Sequence, residues 1–562
     1  MHALFSVLLA LAPASASPAA APGDVRAKVD AVFREYDRTD SPGCALGVYR
    51  DGRILYERGY GMANLELGAA NSPESVFDIG STSKQFTAFA IHLLAREGKL
   101  SLDDDIRRWI PEVPSYGKPV TIRHLLHHTS GLRDYIEVMY LQGVQEEDLT
   151  TDDDALAAIA RQKAPNFKSG DEYLYSNTGY FLLSLVVKRV TGQSLRDFAA
   201  ARIFEPLGMH HTQFNESHTR LIANRATGYA TRAAGGFGIA MGDWEQNGDG
   251  GVQTTVEDLQ LWDQNFYDPK VGDRRLLDDM LTVGVLNSGR KLTYASALVV
   301  DDYRGLPTVS HGGAWVGYRA QLLRFPKQHF SVACLCNFAD ANPTRLAHGV
   351  AEVYLGALMK AEAPRPAPAS KKPAGKAAVS AAELTRLAGA YRDPESGQLI
   401  TLSAESGKLT GQRGSRPFVL VPAGAGRFRA EGLPGRSAEV EVRTAAGGGR
   451  PSLVVTTTDE DDDVDTATYE PVDLWKPTAA DLGAFAGRYE SEEIDTTWRL
   501  VFTDGQLAIK HRGVTADPLR PTTKDVFTAG GLRLAFHRDA AGNVTGFSLD
   551  EGRVRGLAFR RV

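Results

Sequence analysis

Phe77-Asp78-Ile79-Gly80-Ser81-Thr82-Ser83-Lys84 is the stretch on which the reading of this chain turns. A short apolar run leads into Ser81, and a helical pattern follows Lys84, so the tetrad Ser81 to Lys84 is expected to open an amphipathic helix. Residues three apart on a helix share a face. The Ser81 hydroxyl and the Lys84 amine therefore project together, at the helix end where backbone N–H groups favour negative charge. A serine beside an amine held neutral by burial is one route to an activated nucleophile.

Alone the pattern also fits an ordinary helix start, and two partners further along give it weight. Tyr173-Leu174-Tyr175-Ser176-Asn177-Thr178-Gly179-Tyr180 sits just ahead of the apolar run Phe181 to Val190, which places the Tyr175 phenol and the Asn177 carboxamide on a loop. His311-Gly312-Gly313 follows the strand-like Thr308-Val309-Ser310, where two glycines let a ligand or another backbone approach closely. Read singly, Tyr175 is a packed aromatic and His311 a core histidine; the order and spacing of all three argue for a site.

These residues resemble the penicillin-recognising serine hydrolases: class C β-lactamases, D-Ala-D-Ala carboxypeptidases, D-aminopeptidases and related esterases. Their motifs are S-x-x-K, Y-x-N and K-T-G or H-x-G. The likeness extends through His124-Leu125-Leu126-His127-His128-Thr129-Ser130-Gly131-Leu132 and Gly250-Gly251-Val252-Gln253-Thr254-Thr255, across most of the first 360 residues. The resemblance implies Ser81 as nucleophile, Lys84 as its partner and Tyr175 as general base. It also implies Asn177, His311 and Gly313 on the substrate, and backbone N–H groups of Ser81 and Ala314 as the oxyanion hole.

The chemistry agrees with those roles. A tyrosine with a pKa of about 10 is a poor base at neutral pH, but an adjacent lysine cation favours phenolate while burial favours neutral lysine. Lys84 and Tyr175 then titrate as a pair, and the sequence leaves open which holds the proton. Two N–H donors aimed at the oxyanion supply much of the catalysis. The scheme needs no metal or other cofactor. His124, His127 and His128 have helix-compatible spacing, but no carboxylate or cysteine accompanies them at metal-site spacing; a structural place at a helix end is expected.

The net charge of -6 with 23% charged residues makes no electrostatic case for nucleic acid or an anionic membrane. Leu4 to Leu11 is apolar but too short to span a bilayer. Followed by Ala14-Ser15-Ala16, it reads as part of a signal peptide over 1–21, pointing to a periplasmic or secreted protein. Its n-region has His2 in place of Lys or Arg. Three cysteines make no disulfide framework. Cys334 and Cys336 alternate on one strand face with Val332, Cys44 opens another apolar run, and all three are expected to be buried as small hydrophobes.

Length implies several folded units. The helical stripe Val25, Val29, Val32, Phe33, Tyr36 is followed by strands near Ala45–Tyr49 and Ile54–Gly59. Strands near Tyr318–Phe325 and Phe330–Cys336 precede a helix through Leu346, Val350 and Tyr354. The fold class is therefore α/β in the α+β sense: over 22–360, a β-lactamase/transpeptidase-like antiparallel sheet with terminal helices and an inserted helical subdomain, the cleft lying between them. Residues 361–380, rich in Ala, Pro and Lys, read as a linker. Beyond it Leu387-Ala388-Gly389-Ala390-Tyr391 recurs as Phe485-Ala486-Gly487-Arg488-Tyr489, and Gly407-Lys408-Leu409 as Gly505-Gln506-Leu507. Two small antiparallel β-barrels, 381–475 and 476–562, are expected, a layout similar to D-aminopeptidases. The acidic run Asp459 to Asp465 lacks the glycine and terminal glutamate of a calcium loop and reads as a solvated turn.

Three functions remain open on sequence: a serine hydrolase cleaving a small amide or ester through an acyl-enzyme on Ser81, with D-aminopeptidase-like activity among its options; a β-lactamase or D,D-carboxypeptidase; and a non-catalytic protein whose barrels hold a ligand. A histidine at 311 supplies no permanent cation for a substrate carboxylate, which favours the first over the second. The partner is a small molecule or peptide; oligomeric state is open. A barrel loop bordering the cleft and a freely tethered module are equally compatible with the repeats.

Overall fold

The computed structural model describes residues 23–360, 380–394, 397–405, 407–413, 416–424, 426–432, 436–444, 449–459, 464–512 and 518–562. The signal-peptide reading, residues 361–379 of the linker and the centre of the acidic run, 460–463, lie outside them. No helix among the described residues is long and apolar enough to cross a membrane.

A six-stranded antiparallel sheet organises the first domain. Its strands are β1 (Cys44–Arg50), β2 (Arg53–Tyr60), β3 (Val299–Tyr303), β4 (Leu306–Trp315), β5 (Tyr318–Phe325) and β6 (Phe330–Cys336), in the order β3-β4-β5-β6-β1-β2. The two ends of the domain thus meet at its centre, where β6 pairs with β1. Burial on both faces explains the near-continuous apolar run of β6, Phe330-Ser331-Val332-Ala333-Cys334-Leu335-Cys336, every residue of which is buried. One face packs on the terminal helices α1 (Gly23–Val32) and Pro343–Leu355, through Val29, Phe33, Val332, Leu346 and Val350. The other face packs on the helical part inserted between β2 and β3.

Two expectations are corrected here. Cys44 and Cys336 are not separate small hydrophobes: they face each other across the β1–β6 pair and form a disulfide. Only Cys334 keeps a free, buried thiol. Pairing needed the register of two strands 292 residues apart, which the local pattern does not contain. The helix after the serine is likewise not amphipathic. Ser81 lies in a 3-10 turn, Gly80–Ser83, and the α-helix Lys84–Arg96 (α2) is buried continuously from Lys84 to Leu94. It crosses the middle of the domain, so every face meets protein.

The first C-terminal unit is a closed eight-stranded antiparallel barrel running from strand Gly389–Arg392 to strand Val464–Val472, around its own core of Tyr391, Leu409, Phe428 and Tyr469. The second is an eight-stranded sheet between Gly487–Ser491 and Val554–Arg561. It nearly closes, the Leu519 N–H donating to the Leu507 carbonyl at 2.7 Å across the gap. The repeat is visible in atomic detail. Tyr391 donates its hydroxyl to the Leu387 carbonyl (2.9 Å) and Tyr489 to the Phe485 carbonyl (2.7 Å), each behind a short N-capped helix, Ala381–Leu387 or Ala479–Gly483.

Candidate active site

The three motifs converge on a cleft of about 690 Å³ lined by Ser81, Tyr175, Asn177, His311 and Gly313, with Ala314 beside them. Lys84 is buried in its floor and all three of its protons are used. Its Nζ donates to Ser81 Oγ at 3.0 Å, to Asn177 Oδ1 at 2.9 Å and to the Asp249 carbonyl at 2.6 Å. It also lies 4.9 Å from the centre of the Tyr175 ring. Burial, aided by the nearby Arg553 guanidinium, pulls the Lys84 pKa down to about 7, against the opposing carboxylates of Asp249 and Asp134. An ammonium that can release its proton near neutrality is what the serine chemistry requires.

Tyr175 is the third member. Its hydroxyl is buried without a satisfied hydrogen bond, although Ser81 is near enough to favour the phenolate. Burial raises its pKa, while Ser81 and Arg553 act to lower it. A phenol oxygen without a fixed partner has room for proton exchange.

His311 occupies β4 as a neutral ring. Its Nδ1 lies 2.6 Å from the Gly312 carbonyl, which can only accept, so Nδ1 carries the hydrogen and Nε2 accepts from the Tyr294 hydroxyl at 2.9 Å. Burial lowers its pKa to about 4. Gly313 marks a close approach of two backbones: a Cβ there would sit 1.9 Å from the Ile79 carbonyl oxygen, and one on Gly80 would sit 2.6 Å from the Ala314 nitrogen. The segments carrying Ser81 and Ala314, the expected oxyanion donors, are thus pressed together.

Several residues of the site had no role in the sequence reading. His128, expected only to end a helix, has a left-handed backbone (φ 55°). Its ring packs 4.1 Å from that of Tyr175 and accepts the Ser176 N–H at Nδ1 (3.1 Å). Burial and the Lys84 charge hold it neutral. Asp134 caps the helix Tyr135–Gln142 (α3) and also accepts the Asn177 N–H at 2.7 Å. Asp249, raised to about 6 by burial, accepts from the Tyr135 hydroxyl. The His-His-Thr-Ser-Gly run was the one available signal for His128; Asp134 and Asp249 sit in unremarkable polar loops. His124 takes the expected structural place, accepting the Thr121 N–H in a helix cap. Among the described residues the one group of metal-ligand types within reach of each other is Cys44, Cys334 and Cys336, two of which are bonded together.

Arg553, 472 residues after Ser81, reaches the cleft from the second barrel. The turn between strands Val544–Glu551 and Val554–Arg561 carries it there. The turn is held on both sides: Asn166 Nδ2 donates to the Arg553 carbonyl (2.8 Å), Asn166 Oδ1 accepts the Arg555 N–H (2.8 Å), and Glu137 accepts the Arg553 N–H. The second barrel therefore borders the cleft.

This fold, with its cleft between a sheet and a helical subdomain and its three motifs, defines the β-lactamase-like hydrolases. The chain belongs to the β-lactamase family, whose model matches residues 29–357. Relatives extend the match through the barrels: the D-aminopeptidase of Cereibacter sphaeroides is 28% identical over 561 residues, 95% of this chain and 99% of that protein. The D-aminopeptidase of Brucella canis is 26% identical over 537 residues, 93% of this chain and 96% of that protein. Among solved structures, an octameric penicillin-binding protein homologue from Pyrococcus abyssi superposes with a TM-score of 0.56 at 22% identity, covering 80% of this chain and 99% of that one. The D-amino acid amidase of Ochrobactrum anthropi SV3 gives 0.51 at 22% identity, covering 60% and 100%.

Proposed function

We propose that this protein is a serine hydrolase that cleaves small amides or esters of D-amino acids, releasing an N-terminal D-aminoacyl group as a D-aminopeptidase does. The observation that carries the reading is Lys84 Nζ, buried, with its pKa drawn down to about 7, and within hydrogen-bond distance of both Ser81 Oγ and Asn177 Oδ1. The full-length match to D-aminopeptidases, barrels included, supports the substrate class.

The steps follow from the geometry. Ser81 Oγ attacks the substrate carbonyl as its proton passes to the coupled Lys84–Tyr175 pair. The oxyanion is held by the backbone N–H groups of Ser81 and Ala314, and Tyr175 returns the proton to the leaving amine. Water then repeats the sequence on the Ser81 ester, with the same pair as base. Asn177 and His311 orient the substrate, and Asp249 and Asp243 on the cleft wall suit its free ammonium. We also propose export, since the N-terminal pattern and the Cys44–Cys336 disulfide both fit an oxidising compartment.

Ser81→Ala is the direct test. It is expected to abolish fluorophosphonate labelling and lower turnover of D-alanyl p-nitroanilide by at least about 10⁴-fold with the fold unchanged. Retained labelling sinks the assignment. A panel of D- and L-aminoacyl amides, short p-nitrophenyl esters and nitrocefin then ranks the substrates; preference for nitrocefin or for a free C-terminal carboxylate would overturn the D-aminopeptidase reading.

A further inference from the structure

Every cation near Tyr175 other than Lys84 has to come from outside the motifs, because His311 and His128 are held neutral. One does. The Arg553 guanidinium lies 4.9 Å from the centre of the Tyr175 ring, on the cleft wall, and its Nη1 lies 3.4 Å from Asp134 Oδ2. The same Asp134 oxygen accepts the Asn177 N–H, and Asn177 Oδ1 accepts from Lys84. A continuous path of contacts therefore runs from the second barrel to the Y-x-N motif and on to the lysine.

Resting on the Ser81–Lys84–Tyr175 reading, we propose that Arg553 is a positioning residue of the active site supplied by the second barrel. Its guanidinium braces Tyr175 and, through Asp134, the start of the helix Asn177–Thr191, and its charge biases the Lys84–Tyr175 pair towards losing a proton. The sign is the same for both members. A nearby cation favours phenolate over phenol and neutral amine over ammonium.

The groups facing this pair are His128 and Tyr173 from the loops beside it, Tyr180 from the helix Asn177–Thr191, Tyr294 and His311 across the cleft, Asp249 below, and Asp134, Glu137 and Arg553 at the barrel side. Of these Glu137 needs control. It lies 3.9 Å from Arg553 Nε, and burial with the Asp134 charge raises it to about 7, inside the working range.

The test is the pH profile of kcat/KM on D-alanyl p-nitroanilide, using the full chain in a Glu137→Gln background so that Arg553 is the barrel-side group that changes. Arg553→Met should move the acid limb upward by about one pH unit and lower kcat more than it raises KM at pH 7. Arg553→Lys should restore the limb. The rate of fluorophosphonate labelling should shift in parallel, because it needs the base but not the leaving group. A limb that stays put, with the change confined to KM for a free-acid substrate, would make Arg553 a substrate-carboxylate contact and overturn the proposal. So would a limb that Lys does not restore. If Arg553→Met fails to fold, Arg553→Gln in the same background decides: it also removes the charge and should move the limb upward, and no movement overturns the proposal. Labelling lost in Ser81→Ala with an unmoved limb removes only the role of Arg553. Labelling retained in Ser81→Ala removes the site reading and this proposal with it.

Discussion

The two C-terminal barrels share a sequence motif, a capped helix and the same tyrosine-to-carbonyl bond, yet they are built into the molecule differently. The first encloses its own core. The second joins the core of the hydrolase domain, Trp498, Phe547 and Phe559 belonging to one continuous apolar cluster with Tyr135, Leu141 and Phe181. Trp498 Nε1 donates to the Leu141 carbonyl (3.2 Å). At the centre of this contact Arg133 and Glu493 form an ion pair whose side chains are 1% and 5% exposed; the guanidinium also donates to Gln162 Oε1, and the carboxylate also accepts the Lys163 N–H. Among the described residues, the hydrogen bonds and ion pairs that bind a barrel to the hydrolase domain all come from the second. Two copies of one fold differ in how they are packed, and of the two the second borders the cleft.

The largest expected difference between the copies comes from breaking that ion pair. Glu493→Ala strands a buried guanidinium and should cost about 3–5 kcal/mol in chemical denaturation, with turnover falling as the Arg553 turn loosens. The first-barrel pair Arg450–Asp473, whose aspartate is 99% exposed, is the contrast: Arg450→Ala should change stability by less than about 1 kcal/mol and turnover not at all. Equal losses would dissolve the distinction.

A smaller effect concerns substrate size. If the turn around Arg553 is a wall of the cleft, Arg553→Ala should raise kcat/KM for bulky acyl groups relative to small ones by about tenfold, compared above the acid limb where the base is fully deprotonated. Substitutions of the exposed first-barrel residues Arg427 and Arg429 should leave the ratio alone. A flat size profile for Arg553→Ala would favour a barrel that braces the site without gating it.

The smallest is the matched pair Tyr391→Phe and Tyr489→Phe. Each removes a buried hydroxyl and its hydrogen bond and should cost about 1 kcal/mol by denaturant titration. Only Tyr489→Phe should move kcat/KM, since its barrel alone adjoins the cleft. An activity change of equal size in Tyr391→Phe would mean that the first barrel is coupled to the site as well.

Much of this protein is determined by the sequence alone, because the relevant information is local. Ser81 and Lys84 sit three residues apart. Tyr175 and Asn177 sit two apart where a loop enters the helix Asn177–Thr191, and His311 and the glycines after it share one strand. Each set is positioned by the backbone geometry of its own element, so the motifs and the antiparallel sheet were legible. The barrel repeat was legible too, since a 98-residue offset preserves its turn glycines and core tyrosines. The tertiary structure decided whatever depends on segments far apart meeting. Cys44 met Cys336 because the β1–β6 register set them opposite. The serine's helix lost its solvent face because the domain closes around it. His128 and Asp134 acquired their places from a left-handed turn and a helix cap that carry no chemical signature of their own. Arg553 is the extreme case: an arginine in a hairpin turn looks like any solvated surface charge, and only the docking of a whole barrel puts it against the Tyr175 ring.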